Sequence, residues 1–235
     1  MSKENAQSLV PRHVGIIMDG NRRWAKAHKL QALQGHQYVT DHVLEPLVQR
    51  AIERGVEYLT LWAFSTENWQ RDAVEVQGLM KLFRDAFSRN AEVLHRLGVK
   101  LGTIGDISRF PQDIQDTIAH WIQISQENTK ISVIFALNYG GRDEVVRALK
   151  ELADEGFDHE NLTEKNISEH LDTKNIPDPD LIIRPGGEMR LSGFLPWQAV
   201  YAELYFTDVL MPDFTPAELD KALAEFAHRQ RRFGT

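Results

Sequence analysis

Cysteine is absent from the 235 residues of the chain. Disulfides, thiolate metal centres and cysteine nucleophiles are excluded at once. Long hydrophobic runs are missing too. The longest, such as ISVIFAL at 131–137, fall far short of the roughly 20 apolar residues that span a bilayer. The opening segment MSKENAQSLVPR has no apolar core of the kind secretion signals carry. A mobile polar tail over residues 1–11 and a soluble, cytoplasmic protein are expected. Positive charge is in deficit, with 27 lysines and arginines against 34 acids, so the net charge is −7. A general nucleic-acid-binding surface does not fit that balance. Several chemical signatures are also lacking: no G-x-x-x-x-G-K-[ST], no G-x-G-x-x-G after the first apolar run, no H-E-x-x-H and no G-x-S-x-G. The nine histidines are scattered without a metal-ligand rhythm, and only His36, in QGHQ, stands close to a polar cluster.

What is present is an ordinary globular composition, 42% hydrophobic and 26% charged, enough for a sizeable core. Short β-rich runs fall at 13–18, 58–64, 99–105, 131–137, 180–184 and 203–206. Several are continuously apolar, as strands buried on both faces are. Helical patterns lie between them, at about 40–54, 74–97, 111–125, 142–154, 163–171 and 216–230. This alternation predicts one α/β domain over residues 12–235, with a central, mostly parallel six-stranded sheet flanked by helices. The longest helical segment places Val76, Leu79, Met80, Leu82, Phe83 and Phe87 on one stripe. That stripe fits a core-facing surface or the wall of an apolar tunnel, and the pattern alone leaves both open.

Unusual residues gather where the predicted strands end, and in open α/β sheets ligands bind beyond the carboxyl ends of strands. The first run delivers Asp19, Gly20, Asn21, Arg22, Arg23 and Trp24. The second delivers Ser65, Thr66, Glu67, Asn68, Trp69, Gln70 and Arg71. The fourth delivers Asn138, Tyr139, Gly140, Gly141 and Arg142. The fifth delivers Arg184, Pro185, Gly186, Gly187, Glu188, Met189, Arg190, Leu191 and Ser192. Each feature alone reads as a turn or a solvated charge. Together, arginine forks beside glycines point to phosphate or diphosphate binding, because guanidinium groups match phosphate oxygens bidentately and glycine lets backbone N–H groups approach an anion. Magnesium takes one or two protein carboxylates with phosphate and water. Asp19 is the natural first ligand, and Glu203 at the last strand is the expected second.

The stretches HVGIIMDGNRRWA, AFSTENWQR, LNYGGRDE, IIRPGGEMRLSGFLPWQ and YAELYFTDVLMPDF resemble the five signature regions of the cis-prenyltransferases, closest to the bacterial undecaprenyl diphosphate synthases. The resemblance runs from about Arg12 to Phe233, in the family's motif order. It implies a parallel α/β sheet, a homodimer, a magnesium requirement, and addition of isopentenyl diphosphate in Z configuration to an allylic diphosphate, usually farnesyl diphosphate. A long-chain, undecaprenyl-type product would serve as a lipid carrier for cell-wall glycans, with peripheral membrane contact at product release. The absence of D-D-x-x-D agrees, since the trans-type enzymes depend on it.

By the same resemblance, Asp19 engages magnesium and diphosphate, and Gly20, Asn21 and Arg23 cradle the allylic diphosphate, with Arg22 and Trp24 beside them. His36 handles proton and diphosphate. Ser65, Thr66, Glu67, Asn68, Trp69 and Arg71 form the second motif, with Asn68 as proton acceptor. Arg184, Arg190, Leu191 and Ser192 bind isopentenyl diphosphate. Glu203 is the second metal-associated carboxylate, and the terminal Arg-Arg-Phe-Gly reaches a partner subunit. The chain departs from the family pattern at Arg22, Ala32, Val39, Pro185, Met189 and Gly193. Ala32 stands where an arginine is usual, and Arg22 is expected to supply the missing cation. Two other readings stay open: a short-chain or irregular-coupling synthase of the same family, and a non-catalytic partner subunit, against which the retained carboxylates and arginines argue.

Overall fold

The structure, a computed structural model, describes residues 10–229. Its core is a six-stranded sheet in which every pairing is parallel, in the order β3-β4-β2-β1-β5-β6. The strands are β1 (His13–Ile17), β2 (Tyr58–Ser65), β3 (Val99–Ile104), β4 (Ile131–Tyr139), β5 (Leu181–Pro185) and β6 (Glu203–Thr207). The predicted α/β fold with a parallel sheet is therefore the observed one. Successive side chains of a strand point to opposite faces, and both faces of β1 are covered. Val14 and Ile16 belong to the larger core, with residues from α3 (Leu44–Arg54), α4 (Ala73–Arg96), α5 (Gln112–Ser125) and α8 (Pro216–His228). Ile17 joins the smaller core on the other face, with Ile134, Tyr139, Ile182, Phe194 and Leu195. Helices α6 (Gly141–Asp154) and α7 (Glu164–Ser168) complete the main helices.

Differences from the sequence expectations have physical causes. The predicted helix at 40–54 is the end of a longer, interrupted one. After α1 (Asn21–Ala27) come α2 (Ala32–Tyr38), a π-helical turn (Val39–Val43) and then α3. Within the π turn the wider pattern is seen where Leu44 N–H donates to the Val39 carbonyl. Pro46 accounts for the break: it has no N–H, and its ring displaces the carbonyl one turn earlier. Of the mobile tail expected over 1–11, two residues are described. Pro11 is buried and Val10 packs against the core, while residues 1–9 lie outside the described residues. The terminal Arg-Arg-Phe-Gly also lies outside them.

The chain leaves β1 toward β2 on one side and leaves β5 toward β6 on the other. The crevice beyond the carboxyl ends of β1 and β5 is thus the switch point of the sheet, where ligands bind in open α/β folds.

Candidate active site

Asp19 follows β1 at that switch point. Its carboxylate is held from three directions: Gly20 N–H donates to Oδ1 at 2.6 Å, Arg184 donates to Oδ2 at 3.0 Å, and Arg23 lies 3.3 Å from Oδ1. Gly20 has φ 99°, the left-handed region, and a Cβ there would press on Leu210. Asn21 Nδ2 donates to the Met18 carbonyl, while its Oδ1 is buried without a partner. Trp24 is turned inward. Its indole N–H donates to Asp213 at 2.9 Å, and the ring stacks on His28, so it fastens α1 to the segment after β6.

Arg184 ends β5 and is buried. Besides Asp19 it donates to Ser192 Oγ at 2.9 Å and to the Arg190 carbonyl. One guanidinium group thereby sets the loop after β5 against the loop after β1. Ser192 holds a left-handed φ of 53°, an uncommon state for a residue with a side chain. Leu191 packs against the smaller core, and Arg190 is exposed with Glu188 as its partner. Gly186 is needed for this closeness, since a Cβ there would sit 2.6 Å from Arg23.

The second motif forms a 3-10 turn, Thr66–Gln70, closed by Ser65 N–H donating to Asn68 Oδ1 at 3.1 Å. Trp69 faces the core, not the cleft: its indole N–H donates to Asn138 Oδ1 at 2.7 Å and its ring packs edge-on to Phe64. Glu67 is exposed, and Thr66 lies under Gly140. Arg71 extends from this turn to Glu75 at 2.9 Å, and Arg22 reaches the same carboxylate at 3.8 Å.

An open cleft of about 760 Å³ joins these parts, lined by Asp19, Gly20, Asn21, Arg22, Arg23, His36 and Arg71. Ala32 also lines it, as do Lys26 and Lys29, which the sequence reading missed. Their signal was the 22, 26 spacing, which puts two cations on one side of α1, with Lys29 just past its end. Five cations thus face a cleft with the single lining carboxylate Asp19, in a chain of net charge −7. Behind it runs an apolar lumen of about 80 Å³, lined by Leu79, Leu82, Phe83, Ala86 and Phe87 of α4 and by Ala63, Phe135 and Leu137 of the sheet. The α4 stripe is at once core and lumen wall. Ile131, another residue the sequence suggested for a tunnel, is in the core and does not line the lumen.

Met18, Asn21 and His36 line both spaces. His36 is half-buried, and its Nε2 has neither solvent nor partner. Burial first, then the cations of Arg71 and Arg22, push its pKa down to about 4, so the ring is neutral at ordinary pH.

Glu203 lies away from this edge. It begins β6 in register with Leu181, at the amino end of the sheet, and pairs with Arg229 at 2.9 Å. The strand rise puts that level about 16 Å from the carboxyl edge that carries Asp19. Within one chain the two carboxylates do not share an ion, and no cluster of three or more candidate metal ligands occurs among the described residues. The acid that follows β6 onto the right edge is Asp208, beside Gly187.

Comparison with known proteins agrees with this architecture. A prenyltransferase family model described as "Putative undecaprenyl diphosphate synthase" matches residues 17–234. An isoprenyl transferase of Streptococcus pyogenes is 46% identical over 96% of this chain and 93% of that protein. One from Chlamydia trachomatis is 45% identical over 96% and 92%. Among solved structures, lavandulyl diphosphate synthase from Lavandula x intermedia, in complex with dimethylallyl diphosphate, superposes with a TM-score of 0.92 at 37% identity, covering 97% of this chain and 100% of that one. A probable undecaprenyl diphosphate synthase from Campylobacter jejuni gives 0.80 at 32% identity, covering 96% and 99%. With the match spanning nearly the whole chain, and the cationic cleft and apolar lumen meeting at one sheet edge, the chain belongs to the undecaprenyl diphosphate synthase family and is a prenyltransferase enzyme.

Proposed function

We propose that the enzyme condenses isopentenyl diphosphate, in Z configuration, onto an allylic diphosphate, with farnesyl diphosphate as primer and a long-chain, undecaprenyl-type diphosphate as product. The observation that carries this reading is the continuity of a five-cation cleft with an apolar lumen through Met18, Asn21 and His36. A diphosphate suits the cleft and its hydrocarbon tail suits the lumen, where each buried methylene contributes about 0.8 kcal/mol.

Asp19, the one carboxylate that lines the cleft among the described residues, fits a magnesium ion, because that ion completes its shell with diphosphate oxygens and water. When bound, the ion would offset charge on the departing diphosphate. Arg22, Arg23 and Arg71 hold the allylic diphosphate as it gains charge, while Arg184, Arg190 and Ser192 hold the isopentenyl diphosphate opposite it. The isopentenyl double bond attacks the allylic carbon as the C–O bond breaks, and one proton then leaves to form the new double bond. An amide is too weak a base to keep that proton, so diphosphate oxygens accept it, and Asn68 holds the turn beside the reacting groups. The resulting protein is a cytoplasmic homodimer. Met189, Val200 and Tyr201, large and well exposed in one segment, support a partner surface. No described helix is long and apolar enough to cross a membrane, and contact at product release would be peripheral.

A second reading is a short-chain or irregular-coupling synthase. It is favoured by the 80 Å³ lumen and by the likeness to a synthase solved with dimethylallyl diphosphate. A magnesium-dependent assay with labelled isopentenyl diphosphate decides, run separately with dimethylallyl, geranyl and farnesyl diphosphate and with Asp19→Ala as the blank. Long products from farnesyl diphosphate are expected. Only short products would establish the second reading, and no incorporation with any primer would remove both.

A further inference from the structure

The lumen has one fixed wall and two that can part. The sheet side is held by backbone ladders at Phe135 and Leu137, with Ala63 at a bulge of β2 beside them. The other sides are α4 and the π turn, and polar ties join them, one inside the lumen and one outside it. Asn90 Nδ2 donates to the Thr40 carbonyl at 2.7 Å. One residue earlier, Arg89 reaches Asp41 at 3.3 Å without lining the lumen. Apart from Asn21 and His36 at the head, Thr40 and Asn90 are the only polar residues that line this space among the described residues. Helix rise puts Asn90 about 22 Å along α4 from Glu75, the partner of the cleft cations Arg71 and Arg22.

Size gives the tie its meaning. An apolar cavity of about 150 Å³ holds one benzene ring. The 80 Å³ lumen is about half that size, too small for a five-carbon unit unless it widens. A chain that grows further has to push α4 away from the π turn, and the tie stands where they would separate.

We infer that Asn90 and Arg89 are specificity-determining residues that restrain product length by tying α4 to the π turn. This inference rests on the elongation reaction proposed above. Asn90→Leu keeps the side-chain volume and removes the donor. Arg89→Ala removes the outer ion pair and touches no lumen residue. With farnesyl diphosphate and excess isopentenyl diphosphate, both variants shift products to longer chains. For Asn90→Leu the ratio of longer products to the wild-type main product rises about three- to tenfold, the worth of one net hydrogen bond. For Arg89→Ala the shift is smaller, as for an exposed pair. If Asn90 were only part of the wall, Asn90→Leu would leave products unchanged or shorten them and Arg89→Ala would do nothing; either result overturns the inference.

Hydrogen exchange of the unliganded protein tests the tie without catalysis. Amides of residues 86–94 exchange faster in both variants, with the sheet unchanged. Unchanged exchange at 86–94, or acceleration spread through the sheet, counts against the tie. If the wild type elongates no primer, the proposed function falls and exchange alone judges the tie.

Discussion

At Asp19 the guanidinium groups of Arg184 and Arg23 converge on one carboxylate, which orients both of them. Around it, charge is distributed differently from the family pattern. Ala32 lines the cleft with no cation, and Arg22 lines it from α1. If Arg22 makes up for the missing charge, Arg22→Gly raises the Michaelis constant for the allylic diphosphate about tenfold, the worth of one charge-assisted contact, with little change for isopentenyl diphosphate. An unchanged constant in steady-state kinetics would assign the compensation to Lys26 and Lys29 instead. His36 adds a proton-linked element: part of its low pKa comes from Arg71 and Arg22, so a bound diphosphate that neutralises them raises it. Asp19 and Arg184 were legible in sequence because each ends an apolar run. Lys26 and Lys29 were not, since cations on or just after a short helix read as solvent-facing. The place of Glu203 was not legible, because an acid beside a strand says nothing about which end of the sheet it occupies.

At the scale of elements, α1 and α2 are brought together at Gly35. A Cβ there would penetrate the Asn21 carbonyl oxygen, and Asn21 opens α1 beside Asp19. Gly35→Ala should cost about 1–3 kcal/mol through overpacking and displace Asn21 and His36, a loss readable as a lowered denaturant midpoint with weaker allylic-substrate binding. A wild-type midpoint would show that α2 can move without cost. The six strands were readable from apolar runs, and their residue ranges agree within a few residues. The π turn was not: a 3.6-residue periodicity continues across it, and Pro46, the sole hint, is equally at home in a first helical turn. The dual role of the α4 stripe was hidden too, because burial and lining a narrow lumen demand the same apolar side chains.

For the whole molecule, acid stability depends on His36 and equally on a residue far from the cleft. His13 is buried, with its ring nitrogens against the Pro177 carbonyl at 2.6 Å and Thr60 Oγ1 at 2.8 Å. Burial pushes its pKa down to about 4, despite the opposing pull of the Pro177 carbonyl. The unfolded chain protonates this group first, so its contribution of about 3 kcal/mol is complete above pH 6.5 and is lost as pH falls toward 4. Urea midpoints measured from pH 7 to 4 should fall steeply for the wild type and less steeply for His13→Gln; equal slopes would place the acid sensitivity elsewhere. The strand order carries one more consequence, in the time domain. β1 is made among the first residues, yet it sits between β2 and β5, and its second neighbour spans Leu181–Pro185. During synthesis the strand leading to Asp19 therefore waits, with one apolar edge unpaired, until most of the chain has left the ribosome. Such long-range parallel closure is slow and exposes a pairing edge to other nascent chains. Activity lost in a variant truncated before residue 185 would thus reflect a sheet that never closed, even with Asp19, His36 and Arg71 all present.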